Sequence, residues 1–574
     1  MKDYMTEYQK WLQDPVIDEK TKEELLSIKN DEKEIQDRFY TELEFGTAGL
    51  RGIIGAGTNR MNKYIISKAT QGLADFISSH GEEAKKRGVV IAHDVRHYSD
   101  EFSIIAAQVF ASNGIKTYLF KDICTTPILS YAIRYLKTIS GIVITASHNP
   151  KNYNGYKAYW EDGAQILDNV AIPIMENIAK INDFSKINLM NFEEAKEKGL
   201  IIILDDDIEN TYMEKIKTLS LRDTDIDKNI CVVYTPLNGT GNKPVRRILK
   251  ERGFENIHVV PEQENPDPNF TTAPYPNPED PKAFEYSEKL GKNLNADLLI
   301  ATDPDCDRLA VEIKQEDGSY KFLTGNQTAV LLVNYLLTTM KEKNILKNKS
   351  MIIKSIVTGD LGKVIADKYG VDTFETLTGF KNICGKLNEL IDEYDFILGY
   401  EESIGYTAGT FVRDKDAIVS AMLLVEAAAY YKKQNLSLIE VLNSLYEEYG
   451  YYLEKNFSLV LEGIEGKNRI SRIMIEFRKN FPKQIENISL INYIDFKEQK
   501  ETDVINNVVK NIDIPSSNVM KYIFDDGSWY AIRPSGTEPK LKVYIYSVAD
   551  TLENSKHKIE IIENKIKSLI DKIN

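Results

Sequence analysis

Residues 145–157 read Thr-Ala-Ser-His-Asn-Pro-Lys-Asn-Tyr-Asn-Gly-Tyr-Lys. The segment offers one hydroxyl nucleophile, Ser147, with an imidazole beside it at His148 and an amine further on at Lys157. Gly155 and the asparagines 149, 152 and 154 give it the composition of a shaped loop. A serine in such a loop can act as a nucleophile or carry a phosphoryl group. It can equally be a surface serine in an Asn/Pro turn. A hydrolase elbow is disfavoured: G-x-S-x-G needs glycine two places to either side, where this chain has Thr145 and Asn149.

A second segment, Asp303-Pro304-Asp305-Cys306-Asp307-Arg308, follows the apolar run 298–301. Three carboxylates at alternate positions on a loop leaving a strand end can converge on one hard cation. Without a cation, like charges so close would repel. Pro304 disfavours a helical conformation at Asp303 and keeps the segment extended. An EF-hand also begins D-x-D-x-D, but Arg308 stands where that loop needs glycine and Lys314 where it needs glutamate. The short triad therefore reads as a Mg²⁺ site with room for a phosphate oxygen, against the plainer reading of a solvated acidic turn.

Three further segments carry groups suited to a phosphorylated sugar. Arg533-Pro534-Ser535-Gly536-Thr537 supplies a guanidinium fork, two hydroxyls and backbone amides that can form an anion nest. A polar hairpin turn is the alternative. Glu401-Glu402-Ser403 follows the strand-like 396–398 and suits hydrogen bonding to sugar hydroxyls, though it could simply be an acidic helix start. Thr378-Gly379-Phe380-Lys381 and Arg413-Asp414-Lys415-Asp416 add cations in the same third of the chain, each weak alone. Gly46-Thr47-Ala48-Gly49-Leu50-Arg51-Gly52 lacks the lysine of a Walker loop and could aim Arg51 at a phosphate or serve as a joint.

The elements that must hold these loops follow from composition and pattern. A chain of 574 residues is too long for one core, so several domains are expected. Apolar content of 42% with 28% charged residues fits a soluble globular protein. No apolar run is long enough to span a membrane, and the start does not read as a signal peptide. A net charge of −15 argues against a general nucleic-acid partner. Four scattered cysteines without a CxxC pair argue against a disulfide or zinc framework and fit the reducing cytoplasm.

Residues 1–44 read as a polar helical extension with anchors at Tyr8, Trp11, Leu25 and Phe39. Strand-like runs at 89–92, 231–234 and 351–353 each precede a helix ending at glycine (114, 253, 370) and, in the first two cases, another strand. This repetition predicts three related α/β domains with mixed sheets, bounded near 45–210, 211–320 and 321–450. The last stretch, 451–574, reads as a smaller C-terminal α+β domain, joined by a hinge near 445–455.

Together, and in this order, the Ser147, Asp303–Asp307, Glu401–Ser403 and Arg533–Lys540 motifs resemble the α-D-phosphohexomutase family from about residue 40 to the C-terminus. The helical extension and length further resemble its phosphoglucomutase-2-like branch, which includes bacterial α-phosphoglucomutases. The resemblance implies four domains around a central cleft, Mg²⁺ held by Asp303, Asp305, Asp307 and phosphorylated Ser147, and catalytic roles for Ser147, His148, Lys157 and Arg51. It implies substrate binding by Arg308, Thr378, Gly379, Lys381, Glu401, Ser403, Lys415, Arg533, Ser535, Gly536 and Thr537. Lys157 is the expected general acid/base, with His148 as its rival. The implied reaction interconverts α-D-glucose 1-phosphate and glucose 6-phosphate through glucose 1,6-bisphosphate, acting as intermediate and activator. The loop Tyr400-Glu401-Glu402-Ser403-Ile404-Gly405 departs from the Gly-Glu-x-Ser-Gly-His form of the phosphomannomutase/phosphoglucomutase branch, which favours glucose. Phosphomannomutase and phosphopentomutase remain alternatives, and a non-catalytic sugar-phosphate sensor or a phosphatase would be a different class. The expected partners are small sugar phosphates, with no nucleic acid or membrane, for a monomer or weak homo-oligomer.

Overall fold

The computed structural model describes residues 3–46, 49–461, 463–535 and 540–573. The chain forms two units: residues 1–328, 387–392 and 396–435 make up one, and 329–386, 393–395 and 436–574 the other.

The first unit opens with three short helices, Tyr4–Gln13, Glu19–Ser27 and Glu32–Phe39, each started by an aspartate side chain (Asp3, Asp18, Asp31) that accepts a backbone N–H of the first turn. Tyr8, Trp11, Leu25 and Phe39 are buried, and Trp11 meets Phe39, Tyr64 and Phe184 edge to face. A six-stranded sheet follows in the order Leu50–Ile53, Tyr153–Trp160, Ser140–Ile144, Val89–His93, Thr117–Phe120, Ile201–Leu204. The first two pairings are antiparallel and the rest parallel. Its central strands are apolar on both faces because helices such as Lys63–Ser79, Ser99–Ser112 and Thr126–Leu136 pack against it.

A five-stranded sheet continues in the order Tyr320–Leu323, Leu309–Lys314, Leu298–Thr302, Val232–Thr235, Ile257–Val259. Leu298–Thr302 is its switch point: parallel to Val232–Thr235 on one side, antiparallel to Leu309–Lys314 on the other. The turn between Thr302 and Leu309 is therefore a tight antiparallel connection at the carboxyl end of a parallel strand, where open α/β sheets bind ligands. The strand Asp395–Glu401 from Phe396 onward, its antiparallel partner Gly405–Thr407 and the apolar helix Ala417–Lys433 also belong to this unit.

In the second unit, Ser350–Ser355 pairs in parallel with Asp372–Thr376. A larger, antiparallel sheet runs Tyr451–Val460, Lys540–Ala549, Trp529–Pro534, Met520–Phe524, Ile488–Asp495, Lys500–Asp503, Val508–Asn511. One face is covered by Gly463–Lys479 and Leu552–Asp571 around Met474, Ile532, Val543 and Ile562. A separate cluster joins Ile356 and Val357 to Trp529, Ala531, Tyr544 and Tyr546. The expected joint at 445–455 lies inside this unit, where helix Leu438–Tyr449 passes through Gly450 (φ 100°) into Tyr451–Val460. The shared apolar cluster explains why residues 329–386 group with the C-terminal sheet.

Candidate functional site

Ser147 sits in the loop between Ser140–Ile144 and Tyr153–Trp160, 3% exposed and in the left-handed conformation (φ 50°). Its Oγ donates to Asp303 Oδ2 at 2.6 Å and lies 3.1 Å from His148 Nδ1. Antiparallel pairing puts Arg51 opposite Gly155, so the Arg51 strand flanks the same loop. The Arg51 guanidinium donates to Asn149 Oδ1 at 3.0 Å. Gly155 is required by close approach: a Cβ there would lie 2.4 Å from Thr145 O.

Asp303, Asp305 and Asp307 are buried, and each offers an oxygen within 4.8 Å of the others. Asp303 builds the turn, with Oδ1 accepting the N–H groups of both Asp307 and Arg308 at 3.0 Å. Cys306, at φ 59°, directs its thiol away into the core and leaves the flanking carboxylates on the site. Lys157 Nζ bridges Asp305 Oδ2 (2.6 Å) and Asp307 Oδ2 (3.3 Å), and Lys415 Nζ reaches Asp307 Oδ2 at 3.0 Å. Asp305 Oδ1 and Asp307 Oδ1 are buried without a hydrogen-bond partner among the described residues. Buried carboxylate oxygens need a partner. Oxygen-only donors from a tight triad suit a hard divalent ion such as Mg²⁺.

The protonation tendencies diverge. Burial, with Arg308 and Arg51 nearby, holds His148 well below the usual imidazole range. Burial works against the charge of Lys157, but Asp305 and Asp307 outweigh it and raise its pKa. Burial, then Asp307 and Asp305, push Asp303 up. Asp305 is also desolvated, yet Lys157 pulls it down.

The Glu401–Gly405 turn adjoins this centre. Leu309 N–H donates to Ile404 O at 3.1 Å, and Arg308 donates to Ser403 O at 3.3 Å. Glu401 is 7% exposed and acts electrostatically on both Arg308 and Lys415. Lys415 is held beside Asp414, whose other oxygen accepts from Tyr159 Oη (2.8 Å) and Gln165 (2.9 Å). One network thus brings together Arg51, Ser147, His148, Lys157, Asp303, Asp305, Asp307, Arg308, Glu401, Ser403 and Lys415.

The other expected residues belong to the second unit. Thr378, Gly379 (φ 105°) and Lys381 lie where Asp372–Thr376 gives way to helix Phe380–Leu390. Arg533 is on Trp529–Pro534, and Ser535 N–H donates to Lys540 O at 2.7 Å. Gly536 and Thr537 lie outside the described residues, as do Thr47 and Ala48.

Several residues in or beside the centre were not anticipated. Thr126 donates through Oγ1 to Asp305 Oδ2 at 2.8 Å, and its N–H to Asp305 O at 3.0 Å. Asp94, Arg96 and Thr145 form a buried group behind Ser147. The Asp94-Val95-Arg96 order at the end of the apolar run 89–93 was a usable signal, as charged residues just past a buried strand sit where ligands bind.

Comparison with known proteins identifies the family. Four domain models of the phosphoglucomutase/phosphomannomutase family match: alpha/beta/alpha domain I over residues 42–184, domain II over 210–316, domain III over 324–449 and the C-terminal domain over 492–555. A phosphoglucomutase of Staphylococcus haemolyticus is 38% identical over 516 residues, spanning 90% of this chain and 92% of the relative. One from Staphylococcus epidermidis is 39% identical over 544 residues, spanning 95% and 97%. Among solved structures, the Paramecium phosphoprotein parafusin, in its open form, shares the fold with a TM-score of 0.68 at 19% identity over 93% of this chain and 95% of that one. A phosphoglucomutase/phosphomannomutase family protein from Burkholderia thailandensis gives 0.66 at 17% identity, over 92% and 98%. On these matches the chain belongs to the phosphoglucomutase/phosphomannomutase, or α-D-phosphohexomutase, family, with three α/β domains of mixed sheets and a β-rich C-terminal domain.

Proposed function

We propose that this protein is a phosphoglucomutase, an isomerase that interconverts α-D-glucose 1-phosphate and glucose 6-phosphate by way of phosphorylated Ser147. The observation that carries the reading is the Ser147 Oγ–Asp303 Oδ2 contact of 2.6 Å, inside a buried set of three carboxylates balanced by Lys157, Lys415 and Arg308. Relatives bearing the phosphoglucomutase name over nine-tenths of the chain support the same conclusion.

In this reading the phosphoryl group leaves the Ser147 oxygen for the free hydroxyl of glucose 1-phosphate. The serine P–O bond breaks, a sugar P–O bond forms, the sugar hydroxyl gives up its proton and the serine oxygen takes one. The resulting glucose 1,6-bisphosphate turns over and returns its other phosphoryl group to Ser147. Phosphoryl transfer of this kind asks the protein chiefly for position and charge stabilisation. Asp303, Asp305 and Asp307 would hold Mg²⁺, which supplies positive charge against the transferring group. His148, beside the serine oxygen, is proposed to accept the proton of the sugar hydroxyl, because its depressed pKa keeps it neutral. Lys157, held charged by two aspartates, is proposed as an electrostatic partner of the phosphoryl oxygens, with Arg51 and Arg308. Glu401 and Ser403 are proposed to bind sugar hydroxyls. Thr378, Gly379, Lys381 and the Arg533–Thr537 loop are proposed to hold the phosphate that is not reacting. Domain boundaries near 44, 210, 320 and 450 fit this division of labour. A cytoplasmic setting fits four cysteines that are all free thiols. No helix among the described residues is long and apolar enough to cross a membrane.

The test combines phosphopeptide mapping with a coupled assay on glucose, mannose and ribose 1-phosphates, with and without glucose 1,6-bisphosphate. Phosphate on Ser147, preference for the glucose ester and loss of nearly all turnover in Ser147→Ala are expected. Near-normal turnover in Ser147→Ala would reject the carrier role, and release of free phosphate without glucose 6-phosphate would identify a phosphatase.

A further inference from the structure

Ser147 occupies a backbone conformation that non-glycine residues seldom adopt, and such conformations persist only where the surroundings over-determine them. The surroundings here are specific. On the amino side, Ser147 N–H donates to Thr145 Oγ1 at 2.8 Å, and Thr145 Oγ1 donates onward to Asp94 Oδ2 at 2.6 Å. On the carboxyl side, Arg96 Nη2 donates to Ser147 O and to Asn149 O, both at 2.5 Å. Arg96 Nη1 donates to Pro150 O at 2.8 Å and Tyr153 O at 3.1 Å. The two chains close on each other, for Arg96 Nε lies 3.2 Å from Asp94 Oδ2 and Arg96 N–H donates to Asp94 Oδ1 at 2.9 Å. Ser99 Oγ donates to that same oxygen at 2.8 Å, and the guanidinium faces the Phe270 ring at 5.0 Å. Both side chains of the ion pair are wholly buried.

We infer that Arg96, with Asp94 and Thr145, is the positioning group of the phosphoryl-transfer reaction, pinning both peptide groups of Ser147 so that only its side chain is free to move. Arg96 acts through four main-chain carbonyls of the serine loop rather than through the reacting oxygen. The choice of arginine follows from geometry. Four carbonyls shared between Nη1 and Nη2 match a rigid, planar guanidinium fork, whereas a lysine ammonium is a single point with three donors. Asp94 serves twice, offsetting the buried charge of Arg96 and orienting the Thr145 hydroxyl so that its oxygen accepts from Ser147. Placing a nucleophile or phosphoryl carrier within a fraction of an ångström requires such support behind it. This role rests on Ser147 being the phosphoryl carrier.

Arg96→Lys and Thr145→Val test it in the full-length enzyme. Steady-state kinetics with glucose 1-phosphate and saturating glucose 1,6-bisphosphate, normalised to folded protein by thermal melting, are combined with amide hydrogen exchange of peptides covering 145–154. Arg96→Lys is expected to lower kcat by about 100-fold, the scale of a misplaced reacting group, with KM changed less than about twofold. Thr145→Val is expected to lower kcat by about tenfold, and both should speed exchange in 145–154 while the remaining peptides keep their protection. A folded Arg96→Lys with near wild-type kcat overturns the inference. A fall in kcat that tracks only the loss of folded protein does so as well. Should Arg96→Lys fail to fold, Thr145→Val decides alone: unchanged kcat and unchanged exchange overturn it. Retained turnover in Ser147→Ala would instead reject the carrier reading, and hydrogen exchange would still report separately on the scaffold.

Discussion

Replacing Lys157 by methionine should weaken the apo fold and tighten Mg²⁺ binding at once. The ammonium lies 2.6 Å from Asp305 Oδ2 and 3.3 Å from Asp307 Oδ2, with its side chain 7% exposed. At an effective dielectric of about 20, those separations correspond to attractions of about 6 and about 5 kcal/mol, before the cost of desolvating the charges is set against them. Removing one member of a buried ionic group costs about 3–5 kcal/mol. In Lys157→Met, Asp305 keeps Thr126 and Asp307 keeps Lys415, so the lower end, about 3 kcal/mol, is expected. The same ammonium competes with a divalent ion for these oxygens. Recovering only about 1.4 kcal/mol of the competition tightens the ion tenfold. Isothermal titration of Mg²⁺ into unphosphorylated protein, with melting curves recorded with and without the ion, measures both effects. A lower melting temperature without Mg²⁺, a larger rise on adding it and at least tenfold tighter binding are expected. Equal or weaker Mg²⁺ binding in a folded variant would refute the argument that Lys157 and the metal share oxygens.

Glu312, on Leu309–Lys314, is 2% exposed and leaves Oε2 without a partner among the described residues. Burial, then Glu288, push its pKa up to about 8, with Lys292 opposing. A carboxyl whose pKa is raised on folding adds stability that is full below its unfolded pKa of about 4.3 and is lost as pH climbs through about 8. Glu312→Gln should therefore match the parent near pH 5 and exceed it by roughly 4 kcal/mol near pH 9; a constant difference in melting temperature from pH 5 to 9 would contradict this. Arg533→Ala should raise KM for glucose 1-phosphate by about 10-fold or more, since a hydrogen bond to a charged group is worth about 1.5–3 kcal/mol. An unchanged KM in steady-state kinetics would remove Arg533 from phosphate binding.

Much of the chemistry is visible in short segments because their local rules are strict. The Asp303–Arg308 order, entered through Pro304, dictates a loop with alternating carboxylates, and the structure buries all three as one triad. The Ser147 loop announces itself by composition, and the repeating strand–helix–glycine order is enough to expect α/β domains. Helix caps and buried apolar strands follow from neighbours in sequence, which is why elements such as Val89–His93 lie where the pattern puts them. Arg51, Lys157, Glu401 and Lys415 are distant from Asp307 in the chain, and only strand pairing and turn docking gather them. The assignment of residues 329–386 to the same unit as the C-terminal sheet likewise depends on Ile356 and Val357 meeting Trp529 and Tyr544. Arg96 shows the limit most plainly. Its place just past a buried strand marks it as near a ligand site, whereas its partners in the serine loop are carbonyl groups, which every residue possesses and no side-chain pattern reveals. Residue types and their order settle which groups could carry and stabilise a phosphoryl group. The folded chain selects which of them meet, which oxygens remain unpaired and what holds Ser147 in its strained conformation, because those depend on contacts between residues far apart in the chain.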